Sequence, residues 1–207
     1  MAFNIGSPQR HKRSLVCGVG INDFNGTTSI GGIRLYEYRL WKDLLKRCYS
    51  EKYQIKQPTY KGCEVEDYLL SFTNFYNFIK EVKGFGCVDG NGRRYQLDKD
   101  VIFSGNKKYN RETICFVPHE INSFLTKPTR VESKYKLGVC YHKQSSSYAA
   151  KISIGGVVKT LGYYKAENEA FQAYVNAKEH YAKILAEKYK DNVDHRVYDS
   201  LMNYKVL

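Results

Sequence analysis

The sequence predicts an α+β chain in two units: a larger mixed unit, then a small three-stranded sheet carrying one helix. Three observations predict it. Apolar residues recur at helical spacing over 36–49 and again over 67–82. A strand–loop–strand–helix pattern follows between 95 and 125. Beyond residue 136, three short β-rich runs precede one long helical run.

Taken in order, residues 1–16 carry three bases and no acid, and read as a basic flexible arm. Residues 17–35 ("CGVGINDFNGTTSIGGIRL") are rich in Gly, Asn and Thr and read as loop with short strands. A helix is expected from Tyr36 to Tyr49, with Leu40, Trp41, Leu44, Leu45 and Cys48 on one face. Residues 51–65 read as an irregular connection. A second helix is expected from Asp67 to Val82, striped by Phe72, Phe75, Ile79 and Val82. "GFGCVDGNGRR" (84–94) is turn-rich. It leads into a strand at 95–99, a loop at 100–113, a strand at 114–117 and a helix at 118–125, with Pro118 in the first turn, where its missing N–H costs nothing. Residues 17–126 thus form one expected domain, and 127–135 a linker. In the second domain, 136–190, "KLGVCYHK", "SYAAKISIG" and "VVKTLGYY" are strand-like, and Gly155-Gly156 is a hairpin signal. Its helix, expected from Ala166 to Tyr189, packs through Ala170, Tyr174, Ala177, Tyr181 and Leu185. Residues 191–207 are left as a C-terminal tail.

Charge narrows the function. The 207 residues hold 33 Lys and Arg against 21 Asp and Glu, a net charge of +12. Residues 127–165 carry eight of the bases and one acid, while 166–190 balance four against four. A cationic excess placed this way favours a polyanionic partner, nucleic acid or an anionic membrane surface. No apolar run is long enough to span a bilayer, the mean hydropathy is −0.54, and the N-terminus lacks the apolar stretch of a secretory signal. No membrane is therefore expected, and the chain reads as cytosolic. The six cysteines form no C-x-x-C pair, so no structural zinc is expected and they read as small buried hydrophobes.

In the second unit, strand alternation puts Ala149, Lys151 and Ser153 on one face and Tyr148, Ala150 and Ile152 on the other. The more apolar face covers the helix, which leaves Lys151 and Ser153 outward beside His142 and Thr160. A ribbon of this width fits the DNA major groove. Lysines contact phosphates there, and Ser, Thr or His reach base edges. The order Gly138-Val139, "SYAAKIS", Leu161-Gly162-Tyr163, Glu169-Ala170 and Ala173-Tyr174 with Ala177 resembles the DNA-binding domain of plant ethylene-response factors and its phage relatives. Cys140 and His142 stand where that family has arginines, so the resemblance implies docking geometry but not base specificity. The candidate DNA contacts are Lys136, His142, Lys143, Lys151, Ser153, Lys159 and Thr160, with Lys107 and Lys108 in the upstream loop and Arg10, Lys12 and Arg13 in the arm.

The 95–125 layout matches a ββα-metal finger. The pieces W-x-x-L-x-x-R-C-Y, Y-x-G-C-x-V, S-F-x-N-F, "LDKD", G-N-K-x-Y, E-T-x-C-F-V-P and I-N, in this order across 36–125, resemble phage-encoded HNH-type homing endonucleases. That resemblance implies a divalent ion, Mg²⁺ or Mn²⁺, held by Asp98 and Asn122, with Asn106 bracing the loop or orienting the base. It also implies an imidazole directly after the first ligand, where this chain has Lys99. Lys99 or Asp100 is then expected near the scissile phosphate. Lys99 would stabilise charge, and Asp100 would be a weak proton acceptor. His119, the segment's one imidazole, sits at the helix start and is a further catalytic candidate that could approach the metal, although its place does not match the family's base.

The expectation is a metal-dependent, site-specific endonuclease of double-stranded DNA. It would act as a monomer in the cytoplasm of a phage-infected bacterium. Its main rival is a non-catalytic DNA-binding protein, regulatory or anti-defence, on a degenerate nuclease scaffold. An RNA-binding reading fits the charge and the 19 tyrosines, but the aromatics fall mostly on apolar stripes.

Overall fold

The computed structural model describes residues 15–126 and 134–206. In chain order the elements are β1 (Ser29–Ile30), β2 (Ile33–Arg34), α1 (Tyr36–Tyr49), α2 (Glu51–Lys56), β3 (Glu64–Val65), α3 (Phe72–Glu81), β4 (Gln96–Asp98), β5 (Lys108–Tyr109), β6 (Cys115–Val117) and α4 (His119–Leu125). β7 (Val139–His142), β8 (Ser147–Ile154), β9 (Val157–Tyr164), α5 (Glu167–Tyr189) and α6 (His195–Met202) complete the chain. It is mixed α+β, and contacts divide it into two compact units. The first ends at Lys80 and takes back Lys107–Arg111. The second holds Glu81–Asn106 and everything from Glu112 on.

The first unit is built on α1 and α3. Trp41, Leu44, Leu45 and Cys48 of α1 are buried with Phe72, Phe75 and Ile79 of α3, as their helical spacing requires. Trp41 donates its indole N–H to the Leu69 carbonyl at 2.9 Å, so the ring is buried without an orphaned donor. The second helix starts later than expected. Asp67–Leu70 is a short 3-10 turn, and Ser71 breaks the run. Asp23 makes that break: its carboxylate accepts from the Ser71 hydroxyl at 2.7 Å and the Thr73 amide at 2.9 Å, capping α3 from 50 residues away. The irregular connection contains α2, with Ser50 as its N-cap. The expected loop 100–113 contains β5, which pairs in parallel with β3.

In the second unit β4 and β6 pair antiparallel, with Gln96 opposite Val117 and Asp98 opposite Cys115, and α4 follows. This is the expected strand–strand–helix order, with Pro118 one residue earlier than anticipated, as the N-cap. The sheet β7–β8–β9 also forms as expected. Ile154 pairs with Val157 across Gly155 and Gly156, which both lie at positive φ, as the tight hairpin requires. A register shift between Ala150 and Lys151 leaves Leu161 unpaired on β9. Gly138 has φ +74°, and a Cβ there would lie 2.1 Å from the Tyr174 ring, so only glycine lets β7 approach the helix.

α5 serves both halves of this unit. Its N-terminal half lays Ala170 and Tyr174 on the sheet, where Val139 and Ala150 complete the cluster. Its C-terminal half buries Tyr181, Ala182, Leu185 and Ala186 and packs against α4 and α6. The division of contacts therefore does not fall between 126 and 136: the strand–strand–helix finger belongs with the sheet and shares its helix. Residues 127–133 of the expected linker lie outside the described residues, and Tyr135 packs on Tyr141 and Tyr148 of the sheet. The expected tail contains α6, with Val197 and Leu201 fully buried.

Candidate functional site

β4 ends at Asp98, and the chain turns at once. Asp98 Oδ1 accepts from the amides of Asp100 at 2.6 Å and Val101 at 3.1 Å. One carboxylate oxygen is thus spent on the turn, as Asp commonly does. Oδ2 accepts no hydrogen bond among the described residues. Lys99 points inward and is 5% exposed. Its ammonium donates to Asp100 Oδ1 and to the Asn106 carbonyl, each at 2.6 Å, and Asn106 returns a bond from Nδ2 to the Lys99 carbonyl at 2.9 Å. The expected placing of Lys99 at a phosphate is therefore not what the structure has. Burial and this reciprocal pairing with Asn106 make it a strut that closes the 99–106 loop. Asp100 is exposed but carries the strut's counter-charge. The Ser200 hydroxyl of α6 donates to the Val101 carbonyl, bracing the same turn from behind.

α4 lies over the Gln96/Asp98 face of β4. The Asn122 amide donates from Nδ2 to Gln96 Oε1. Gln96 and Asp98 are two residues apart, so they share a strand face at a separation of roughly 7 Å. The structure brings Asn122 to Gln96 rather than directly to Asp98, and leaves Asn122 Oδ1 without a partner among the described residues. His119 is one helical turn before Asn122 on the same side of α4, half-buried, with Nε2 3.1 Å from the Ser123 hydroxyl. Among the described residues no group of three or more His, Cys, Asp or Glu side chains converges on a metal position. The donor pair here, one carboxylate and one amide oxygen, is hard and suits Mg²⁺ or Mn²⁺, which keep most of their waters.

Glu120, beside His119, fixes the finger to α5. It accepts from the Tyr181 hydroxyl at 2.7 Å, the Lys188 ammonium at 2.6 Å and the Tyr189 hydroxyl at 2.7 Å. Burial alone would raise the Glu120 carboxyl; the three donors outweigh it and hold the group below the usual range. Burial and the carboxylate together push the Tyr181 phenol up. Arg196 of α6 reaches the Glu112 carbonyl and is held by Asp194, which ties the start of the second strand in place. Burial raises the Cys115 thiol, which sits 3.8 Å from the Asp98 carbonyl as a neutral filler. Cys48 and Cys63 are buried likewise, whereas Cys17 and Cys87 are exposed and do not fit the buried reading.

The free face of the sheet carries His142, Lys151, Ser153 and Thr160, all on one side by register. Lys151 pairs with Thr160, and both are exposed. The His142 and Tyr163 rings meet 5.3 Å apart across β8, over the small Ala149, which is why Ala149 is 1% exposed on the outer face. His142 Nδ1 is 2.9 Å from the Ser145 hydroxyl. Lys143 is exposed in the turn that follows.

Other candidates stand elsewhere. Lys159 pairs with Ile152 and so faces the helix side of the sheet, though exposed. Lys136 is held by Asn168 at 2.6 Å and lies over the Phe171 ring at the start of α5. Lys107 and Lys108 are in the first unit, where Lys107 donates to the Thr59 carbonyl and Lys108 pairs with Glu64. Arg10, Lys12 and Arg13 lie outside the described residues. Gln96, Ser200 and Arg196 were not singled out from the sequence. Period-two alternation from Asp98 would have found Gln96, but no local pattern marks the other two.

In comparison with known proteins, no family model, no curated protein and no solved structure matches the chain. Among the described residues no helix is long and apolar enough to cross a membrane.

Proposed function

We propose that the chain is a metal-dependent endonuclease of double-stranded DNA, cutting at the β4–α4 finger and holding the duplex on the free face of β7–β9. The observation that carries this is Asn122, which α4 delivers to the very face of β4 that ends in Asp98. Asp98 Oδ2 and Asn122 Oδ1 are the oxygens that would hold a divalent ion. Such an ion supplies stabilisation of the charge that builds on the phosphate and its leaving oxygen. Asp98 Oδ1 fixes the turn, so the second oxygen is presented from a rigid position. Lys99 and Asn106 support that turn from within rather than touching DNA. His119 shares its side of α4 with Asn122 and would be the candidate proton acceptor. Lys151 and Lys143 contact phosphate, and Ser153, Thr160 and His142 face base edges. A phage-infected bacterial cytoplasm remains the setting that the sequence resemblance implies.

One observation favours a second reading, a DNA-binding protein without nuclease activity. The position after Asp98 holds a buried strut, and Asp98 spends an oxygen on its own turn. Incubating supercoiled plasmid with the full chain in Mg²⁺ or Mn²⁺ separates the two. Nicking that is lost in Asp98→Ala and Asn122→Ala supports the nuclease. A wild-type chain that binds duplex yet leaves it supercoiled with both metals sinks the nuclease and leaves the second reading.

A further inference from the structure

The tetrapeptide Ser-Ile-Gly-Gly occurs twice, at 29–32 and at 153–156. Each copy makes the same object: a hairpin with both glycines at positive φ and a β-branched residue after them. In the second copy the hairpin ends the sheet assigned above to DNA. In the first it stands in the other unit, as β1–β2, with no role yet. There Ile30 pairs with Ile33, and the two are 68% and 74% exposed. Two isoleucines side by side, with only glycine ahead of them, form a narrow apolar edge. Both side chains are more than two-thirds exposed, so the edge is open to a partner.

The surroundings say what covers it. Arg34 closes the hairpin with its guanidinium 5.4 Å from the Tyr38 ring centroid, and Lys42 shares that ring at 6.0 Å. Arg39 lies 5.8 Å from the Tyr36 ring. The one carboxylate between residues 27 and 42 is Glu37, which lies 3.9 Å from Lys80. An apolar edge with cations at its base complements a stacked, anionic duplex: phosphates for the cations and a parted base step for the isoleucines.

We propose that the β1–β2 hairpin is a minor-groove wedge. Ile30 and Ile33 enter a base step of duplex DNA while Arg34, Arg39 and Lys42 hold the flanking phosphates. The proposal rests on the DNA-binding reading above and extends it to the first unit. An inserted wedge kinks the duplex, so bending is its signature.

The test uses the full chain, a short mixed-sequence duplex with a dye at each end, and the variant Ile30→Ser/Ile33→Ser. Wild type should bring the dye-labelled ends together on binding. The variant should lose that change and bind roughly tenfold or more weakly, with its urea midpoint unmoved because both side chains are exposed. Arg34→Ala/Lys42→Ala should keep the bend at saturation and lower the salt slope of binding by about 2. A double-isoleucine variant that binds and bends as wild type does overturns the wedge and leaves the DNA-binding reading intact. A wild type that binds no duplex overturns both. Light scattering adds a third outcome: a wild-type dimer that becomes monomeric in the variant makes the hairpin a self-association edge and also overturns the wedge.

Discussion

Replacing Glu120 by Gln keeps its volume and removes its charge, at the point where the finger meets α5. The wild-type carboxylate takes two tyrosine hydroxyls and one ammonium. Lys188 is 53% exposed, so its pairing contributes only about 0.5 kcal/mol. Hydrogen bonds to a charged acceptor contribute about 1.5–3 kcal/mol each. Gln retains one acceptor oxygen, so one tyrosine bond falls to neutral strength and the other loses its acceptor unless the hydroxyl turns. The expected loss is about 2 kcal/mol at neutral pH, or roughly 4–8 °C in melting temperature for a chain of this size. The sign of the pH dependence follows from the lowered Glu120 carboxyl. A group depressed in the folded state stabilises above its unfolded value and loses that contribution as pH falls through the folded one. Urea unfolding followed by circular dichroism, at pH 7 and at steps below about 4.5, should show the wild-type advantage shrinking with acid. An advantage of the same size at every pH would refute the ionic account of this contact.

Three further outcomes are expected. Gly138→Ala forces a Cβ into the Tyr174 ring at a left-handed position and should cost about 3 kcal/mol or more, read from the urea midpoint. Lys99→Met removes the donor that Lys99 gives to the Asn106 carbonyl and Asp100 and should destabilise by about 2–4 kcal/mol, whereas Asp98→Ala should lower the melting point less and, on the nuclease reading, abolish nicking; a Lys99→Met chain as stable as wild type would undo the strut assignment. Lys151→Ala should weaken duplex binding and reduce its salt slope by about 1, while Lys159→Ala, on the helix side of the sheet, should change it far less; titrations at several salt concentrations tell them apart.

Local periodicity carried much of this fold. The α1 span, the three strands of the sheet, the Gly155-Gly156 turn and the 23-residue α5 were all legible because spacing alone defines them. What was not legible depends on partners distant in sequence. Asp23 decides where α3 begins, and β3 captures Lys108 and Tyr109 from a segment that reads as loop. α6 looked like a tail because its eight residues are too few for a convincing pattern, yet Val197 and Leu201 are buried. Around the candidate site, the strand end at Asp98 and the helix that carries Asn122 were readable from the local pattern. The inward turn of Lys99 was not, since its two acceptors come from Asp100 and from a carbonyl seven residues on. That one helix serves two neighbours was not legible either, because amphipathicity does not say how many partners a stripe has.

A helix that packs on the sheet and also holds the finger is a ruler. With 23 residues, α5 spans about 34 Å, close to one turn of B-DNA. Two modules on a flexible tether would cut at a scatter of distances from the sequence they read. Two modules on one rod cannot drift in phase, so on the proposed nuclease reading cleavage should fall at one fixed offset, within about ten base pairs of the site held by the sheet. The same rod forbids simple exchange of parts: a different sheet grafted after residue 135 without α5 would arrive without the half-helix on which α4 rests.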